Sequence, residues 1–287
     1  MGGVIVYTCD TVGFDWVHKP LAPTPGARFV RFAPAPERGQ KPWEHRDLPA
    51  VAGELSPRMV SRYPKILPHK VFPEAEITIW IDASVVVMTD LTPLIDEFRR
   101  SGAAMALFPH PSGRNVDEEF TAAVKAGRIR DADLAEVQRQ RYREAGIAGL
   151  PITENSILFR RGGVPELDAV MERWWDEMTT YTERDQPSLP FALAGSDLPV
   201  HYWNWHFKDE DCPWFRRMAH RPPDGLRRFV RAAYVLDDHH WQWRVVRKVF
   251  DATGSVRRSL GMGPIRRRLM GPMTPPADAT PRGATRK

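Results

Sequence analysis

Apolar residues follow two rhythms along this chain of 287 residues. Short apolar-rich runs bounded by Pro, Gly or charge occur at 3–8 (GVIVYT), 28–32 (RFVRF), 76–82 (EITIWID), 103–108 (AAMALF) and 156–161 (SILFRR). Runs of this length between turn signals predict strands. Elsewhere the spacing becomes helical. SPRMVSRYPK opens with Ser56 as a candidate cap and Pro57 at the first helical position, and Pro64 and Pro68 limit its length. Thr92 and Pro93 repeat that start signal, and Gly102 closes the segment. Helices are expected over 117–126 and 132–145, the second ended by Gly146. PELDAVMERWWDEMTTY sets Leu167, Val170, Met171, Trp174, Trp175 and Met178 at helical spacing. Residues 33–55 show little periodicity. Strand, helix and strand in close succession predict an α/β fold, a mostly parallel central sheet flanked by helices in a single domain.

After Asp251 the Pro, Gly and Arg content rises and periodicity fades. The expected division is a domain over 1–250 and a basic, largely disordered tail over 251–287. The tail carries eight Lys or Arg and two Asp, a net charge of +6, against +5 for the whole chain. The remainder is therefore near −1, which argues against a nucleic-acid-binding domain, because such a domain carries its positive charge on the folded body. Hydrophobic residues make up 42%, enough for a core. No run of about 18 apolar residues predicts a membrane span, and no leader pattern is visible. Two cysteines, Cys9 and Cys212, supply neither a disulfide framework nor a zinc motif, so a reducing, cytoplasmic setting is expected. WQWRVVRKVF (241–250) has the pattern of a basic amphipathic helix, suited either to an anionic membrane at its inner face or to docking on its own domain.

The run TIWIDASVVVMTD poses the chemical question, because an apolar strand ends on a carboxylate, Asp82. An unpaired buried charge is costly, so Asp82 needs a cation, backbone amides or a metal. Ligands of open α/β sheets bind at the C-terminal ends of strands, where Asp82 is expected. Metal-dependent sugar transferases place an Asp-x-Asp there to hold a divalent ion against a nucleotide diphosphate. Here the triplet is Asp82-Ala83-Ser84, without the second acid. A carboxylate that caps the next loop is the other reading.

RYPKILPHKVFPEAEITIWIDASVVV resembles the TOD/MUCI-type glycosyltransferase-like domains of bacteria and plants. Arg62, Lys65, Pro68, His69, Trp80, Ile81 and Asp82 match their Arg-x-x-Lys-x-x-Pro-His segment and Trp-Ile-Asp strand in order. His110, Pro111, Arg114, Glu118 and Glu119 match a His-Pro-x-Arg segment with paired acids, at a spacing one residue different. ENSILFRR, ERDQPSLPFAL and the opening VIVYTCDTVGFD are similar to further segments, so the likeness covers about residues 3–195. It implies a GT-A-like fold and a glycosyltransferase that moves a sugar from a nucleotide-sugar donor, UDP-linked by expectation, to a hydroxyl acceptor such as a glycan or a lipid-linked glycan. The alternative is a non-catalytic glycan- or nucleotide-sugar-binding protein on the same fold, favoured by the missing acid.

The same resemblance implies roles for particular residues. Tyr7, Thr8 and Asp10 end the first strand, where base and ribose are expected, with Asp15 as a further acceptor. Arg62 and Lys65, one helical turn apart, are expected near the diphosphate. Asp82 and Ser84 are assigned to the donor. Asp82 and His206 are the metal candidates, for Mn2+ or Mg2+, with His201 and His69 as lesser ones. Arg184, Gln186 and His110 are assigned to sugar or acceptor. Asp185 and Glu154 are the catalytic candidates, Asp185 also being read as a helix cap and Glu154 as a general base. Glu118 and Glu119 are read as favourable first-turn acids. Trp203, Trp205 and Trp214 are read as core, with sugar stacking the rarer use.

Overall fold

The computed structural model describes residues 3–11, 17–36, 40–53, 55–208 and 212–217, together with 241, 242, 245, 248 and 249. Asp15 and the tail 251–287 lie outside the described residues, as does half of the segment 241–250. Its described positions are helical, and Trp241, Val245 and Val249 are exposed.

The strands are β1 (Val4–Cys9), β2 (Arg28–Phe32), β3 (Trp43–Arg46), β4 (Ile77–Ile81), β5 (Val85–Val87), β6 (Met105–Pro109), β7 (Thr153–Arg161), β8 (Val200–Tyr202) and β9 (Phe215–Arg217). The helices are α1 (Pro57–Ile66), α2 (Pro68–Val71), α3 (Thr92–Ser101), α4 (Val116–Lys125), α5 (Ala132–Glu144), α6 (Pro165–Thr180) and α7 (Asp185–Leu193). Seven strands form one sheet in the order β3-β2-β1-β4-β7-β6-β8, and β5 pairs with β9 apart from it. Four of the six pairings in the large sheet are parallel. β7 runs antiparallel to both β4 and β6.

Both faces of the sheet are covered, which is why its central strands read as continuous apolar runs. Alternation along each strand sorts the side chains. Val4, Val6, Ile77, Ile79 and Ile81 face α3 and the 203–215 segment, where Trp203, Phe207 and Trp214 are buried. Ile5, Tyr7, Cys9 and Trp80 face α1, α6 and α7. The six residues at helical spacing in α6 split accordingly: Leu167, Val170, Met171, Trp174 and Met178 are buried there, and Trp175 packs at the margin. Sugar stacking is thus not what Trp203 and Trp214 are placed for.

Three details depart from the sequence reading. β3 falls inside the segment read as aperiodic, because as an edge strand it buries Trp43 and leaves Glu44 and His45 exposed. Thr92 does not cap α3. Leu91 holds that position, and the Asp90 carboxylate accepts from the Thr92 N–H at 2.9 Å and from its hydroxyl at 2.7 Å. β7 is reversed because the chain between β6 and β7 leaves and re-enters the sheet at one edge. The His110 N–H donates to Ile152 O at 3.3 Å, and the Val116 N–H to Leu150 O at 2.9 Å. Among the described residues no helix is long and apolar enough to cross a membrane.

Candidate functional site

β1 and β4 are parallel neighbours, so their C-terminal ends open at one edge. A cleft of about 860 Å³ lies beyond that edge. Cys9, Asp10 and Thr11 line it from the end of β1, and Trp80, Asp82, Ala83 and Ser84 from the end of β4. Ser56 to Arg62 at the start of α1 form one wall, Arg128 to Asp131 between α4 and α5 another, and Tyr181 to Arg184 before α7 a third.

Local chemistry sets α1 in place. The Ser56 hydroxyl accepts from the Met59 N–H at 3.2 Å, as a cap should, and donates to Glu183 Oε1 at 2.7 Å. That second bond ties the helix start to the loop before α7. The first turn of α1 holds no acid of its own, and the carboxylate at its N-terminus is that of Glu183.

The charged residues of the cleft are unequal. Five arginines line it (Arg58, Arg62, Arg128, Arg130 and Arg184) against four acids. Each acid is already engaged. Asp10 pairs with Arg31 at 3.3 Å, Asp82 with Lys65, Asp131 caps α5, and Glu183 accepts from Ser56. Arg58, Arg128 and Arg130 form no ion pair among the described residues. The excess is positive and suits a polyanionic ligand.

Beneath the cleft lies a buried cluster. Lys65, 1% exposed, donates from Nζ to Asp185 Oδ2 at 2.7 Å and to Asp82 Oδ1 at 3.3 Å. The Trp80 indole donates to the same Asp82 oxygen at 2.8 Å. The Arg62 Nε lies 3.5 Å from Asp185 Oδ2. Burial alone would raise the Asp185 carboxyl. The charges of Lys65, Arg62 and Arg184, with the Lys65 hydrogen bond, outweigh burial and hold it well below the usual carboxylate range. The turn that carries Lys65 is fixed from below. The Arg160 guanidinium donates to Lys65 O and to the Tyr7 hydroxyl, and that hydroxyl donates to Pro64 O at 2.9 Å. Burial, only partly countered by Arg160, pushes the Tyr7 phenol up to about 12.

The sequence candidates therefore separate. Asp10, Arg62, Asp82, Ser84 and Arg184 line the cleft. Lys65 and Asp185 lie under it and bind to its lining. Gln186 accepts from Arg184. Tyr7 and Thr8 are buried in the sheet, with Tyr7 bonded to Arg160 rather than open to a ligand. Asp185 is not the cap of α7, since Arg184 holds that position. His69 is held by Glu172 at 2.9 Å, and His201 by Glu97 at 3.4 Å. Glu154 and His110 belong to a neighbouring cluster. Lys208 donates to Glu154 Oε2, Ser156 donates to Glu154 Oε1 at 2.5 Å, and His110 Nε2 lies 3.9 Å from Glu154. Burial raises Glu154, and Lys208, Ser156 and His110 reverse this and lower it. Burial and Lys208 lower His110 despite Glu154. His206 packs on Phe108 and Phe207, and its Nδ1 accepts from the Lys208 N–H at 3.0 Å. The start of β7 joins the two clusters. Ser156 O accepts from the Asp82 N–H at 2.8 Å, and Asn155 donates to Asp185 O at 2.9 Å.

Sequence reasoning passed over Arg58, Arg128 and Arg130, which sit at a helix start and a helix–helix link. The alternation Arg128-Ile129-Arg130, with Ile129 buried, was the available signal. It also read Glu118 and Glu119 alike. Glu118 completes a capping box with Asn115, whereas the fully buried Glu119 pairs with Arg184 at 2.7 Å and Arg114 at 3.0 Å.

The donor set does not fit a resident divalent ion. A hard cation takes several oxygen ligands, and among the described residues no group of three or more His, Cys, Asp or Glu side chains is gathered for one. Asp82 faces the cleft with one oxygen already held by Lys65 and Trp80.

The model of the TOD1/MUCI70 glycosyltransferase-like domain matches residues 55–212. "Probable hexosyltransferase MUCI70" of Arabidopsis thaliana is 29% identical over 141 residues, 46% of this chain and 24% of that protein. "Alkaline ceramidase TOD1" of Arabidopsis thaliana is 28% identical over 148 residues, 48% of this chain and 32% of that protein. The chain thus spans about a quarter to a third of the length of these curated relatives. Among solved structures, mouse xyloside xylosyltransferase 1 in its apo form is similar over 72% of this chain and 86% of its own, with 10% identity and a TM-score of 0.41. The glycosyltransferase GlyE of Streptococcus pneumoniae is similar over 71% and 45%, with 8% identity and a TM-score of 0.43.

Proposed function

Because this chain belongs to the TOD1/MUCI70 glycosyltransferase-like family, we propose that it is a glycosyltransferase using a nucleotide-sugar donor, with UDP the expected nucleotide and a hydroxyl group of a glycan or lipid-linked glycan as acceptor. The observation that carries this reading is the cleft at the ends of β1 and β4, where five arginines surround a floor of paired carboxylates. A diphosphate offers the charge that Arg58, Arg128 and Arg130 lack. On this reading Asp10, just after β1, meets ribose or base, and Asp82 and Ser84 meet the remainder of the donor. Cations preset around the departing diphosphate stabilise charge as it develops, without reorganisation during the reaction. Asp185 acts as a positioning residue, because its carboxylate is buried and holds Lys65 and Arg62 rather than facing the cleft.

The test is a panel of UDP-, GDP- and ADP-sugars offered to the full chain, with thermal melting for binding and free nucleoside diphosphate for turnover. Arg58→Ala with Arg128→Ala should abolish the melting shift given by the preferred donor. Binding without turnover across a broad set of hydroxyl acceptors would favour a non-catalytic nucleotide-sugar-binding protein. Failure of every donor to bind would sink both readings.

A further inference from the structure

We infer that the Lys65 ammonium takes the place of a divalent cation in this site, so that the chain binds a nucleoside diphosphate on its own cations and without metal. The inference rests on the nucleotide-sugar reading for its ligand, but the geometry behind it is independent of that reading.

Lys65 Nζ lies between two carboxylates that converge from different elements, Asp82 after β4 and Asp185 at the start of α7. A cation held by two acids at the foot of the cleft is what a divalent ion would otherwise supply. Here the cation is covalently part of α1. The ammonium is 1% exposed, the Trp80 ring lies 5.8 Å from it, and the backbone that carries it is bound by Arg160. A metal could displace such a buried group from the two acids only by leaving its ammonium buried and unpaired.

Charge counting agrees. Asp82 and Asp185 contribute two negative charges, and Lys65 and Arg62 two positive ones. Arg184, paired with Glu119, also lies 3.9 Å from Asp185, so the floor has no negative charge to spare and a divalent ion added to it would be uncompensated by protein. The negative charge of the ligand has other partners, since Arg58, Arg128 and Arg130 line the cleft without ion pairs among the described residues. The sequence departs from Asp-x-Asp at the same place. Ala83 and Ser84 follow Asp82, so the second hard ligand is missing where the ammonium is present. The absent acid and the present lysine are two halves of one arrangement.

The experiment is calorimetric titration of the full chain with pyrophosphate and with UDP, GDP and ADP, in excess EDTA and again in Mn2+. Dissociation constants are expected to agree within about twofold between the two conditions. In EDTA, Arg58→Ala with Arg128→Ala should weaken pyrophosphate by tenfold or more, since two charge-assisted contacts are lost. The free Mn2+ spin-resonance signal should stay unchanged on adding the wild-type chain. Lys65→Met, where melting shows that it folds, should bind pyrophosphate at least tenfold more weakly in EDTA, because Asp82 then meets the ligand without its cation, and unchanged affinity would overturn the inference. Binding of a nucleoside diphosphate that appears only with Mn2+ and disappears in Asp82→Asn would overturn the inference and leave the nucleotide-sugar reading standing. No binding of any of the three nucleotides in either condition would overturn both. The wild-type titrations decide the matter even if Lys65→Met does not fold.

Discussion

Asp82 posed the question of what a carboxylate needs at the end of an apolar strand, and the answer is Lys65, seventeen positions earlier in the chain. The sequence placed both residues in one segment and the pair Asp185-Gln186 in another. It could not show that Lys65 serves two acids, because the contact between Lys65 and Asp185 spans 120 positions and has no local signature. Asp185→Asn is expected to cost about 3–5 kcal/mol, since it leaves buried cations without their counter-charge. Asp82→Asn should cost much less, because that side chain is 26% exposed, and should act on donor affinity instead. Thermal melts of the two variants beside the wild type check the contrast. The Asp185 carboxyl is depressed in the folded chain, so its contribution to stability is present above the unfolded carboxyl range near pH 4 and is lost only in stronger acid. Cys9 behaves in the opposite sense. Burial, with Asp10 nearby, pushes its thiol from 9.0 up to about 12. Its contribution is complete below pH 9 and is lost as the pH rises towards 12, and Tyr7 adds a loss above pH 10. Alkaline melts should therefore show Cys9→Ser losing less stability than the wild type between pH 9 and 12. Native Cys9 should also react slowly with iodoacetamide at pH 8. Fast alkylation would show that the thiol is neither buried nor protonated as described.

At the level of elements, the helices were legible because their ends are chemically marked. Ser56 and Gly102 stand where the sequence put them, and α6 follows its apolar spacing. β3 was not legible, since a four-residue edge strand with one buried tryptophan leaves no period to read. The reversal of β7 was equally hidden. Antiparallel and parallel central strands have the same composition when both faces are covered. The α4–α5 pair shows how an element can matter through a single side chain. The Tyr142 hydroxyl donates to Glu177 Oε2 at 2.8 Å on α6 and accepts from Gln138 at 2.8 Å. Gln138 Oε1 in turn accepts from the Thr182 hydroxyl at 2.7 Å, in the loop that walls the cleft. Tyr142→Phe should cost about 1–3 kcal/mol by leaving buried polar groups unsatisfied. It should also weaken nucleotide binding, because Arg128 and Arg130 enter the cleft from the same helix pair. A melt and a UDP titration on one preparation measure both effects. Lost stability with unchanged affinity would mean that the wall is held by other contacts.

Over the whole molecule, the charge divides between a near-neutral body and a tail of +6. We propose that residues 251–287 lend affinity for anionic surfaces and are dispensable for donor binding. Each Lys or Arg near an anionic bilayer contributes about 1 kcal/mol, fading over a Debye length of roughly 8–10 Å. A chain ending at Phe250 should keep its donor titration and lose salt-sensitive sedimentation with phosphatidylserine vesicles. Indifference of the full chain to such vesicles at low salt would remove the proposal. The body has its own internal division. Residues 110–152 leave the sheet after β6 and return to it at the start of β7. They carry their own core of Val116, Phe120, Ala123, Tyr142, Ile147 and Ile152. Their two ends are stitched together, His110 to Ile152 and Val116 to Leu150. Adjacent ends are the condition under which a segment can be exchanged without disturbing its host. The stretch can therefore act as a cassette. A counterpart from a relative, grafted with Glu119, Gln138 and Tyr142 retained, should seat on the unchanged sheet and bring its own arginines to the cleft. In a protein built this way, ligand preference can be rewritten by replacing one continuous piece of gene while the folding core is inherited intact.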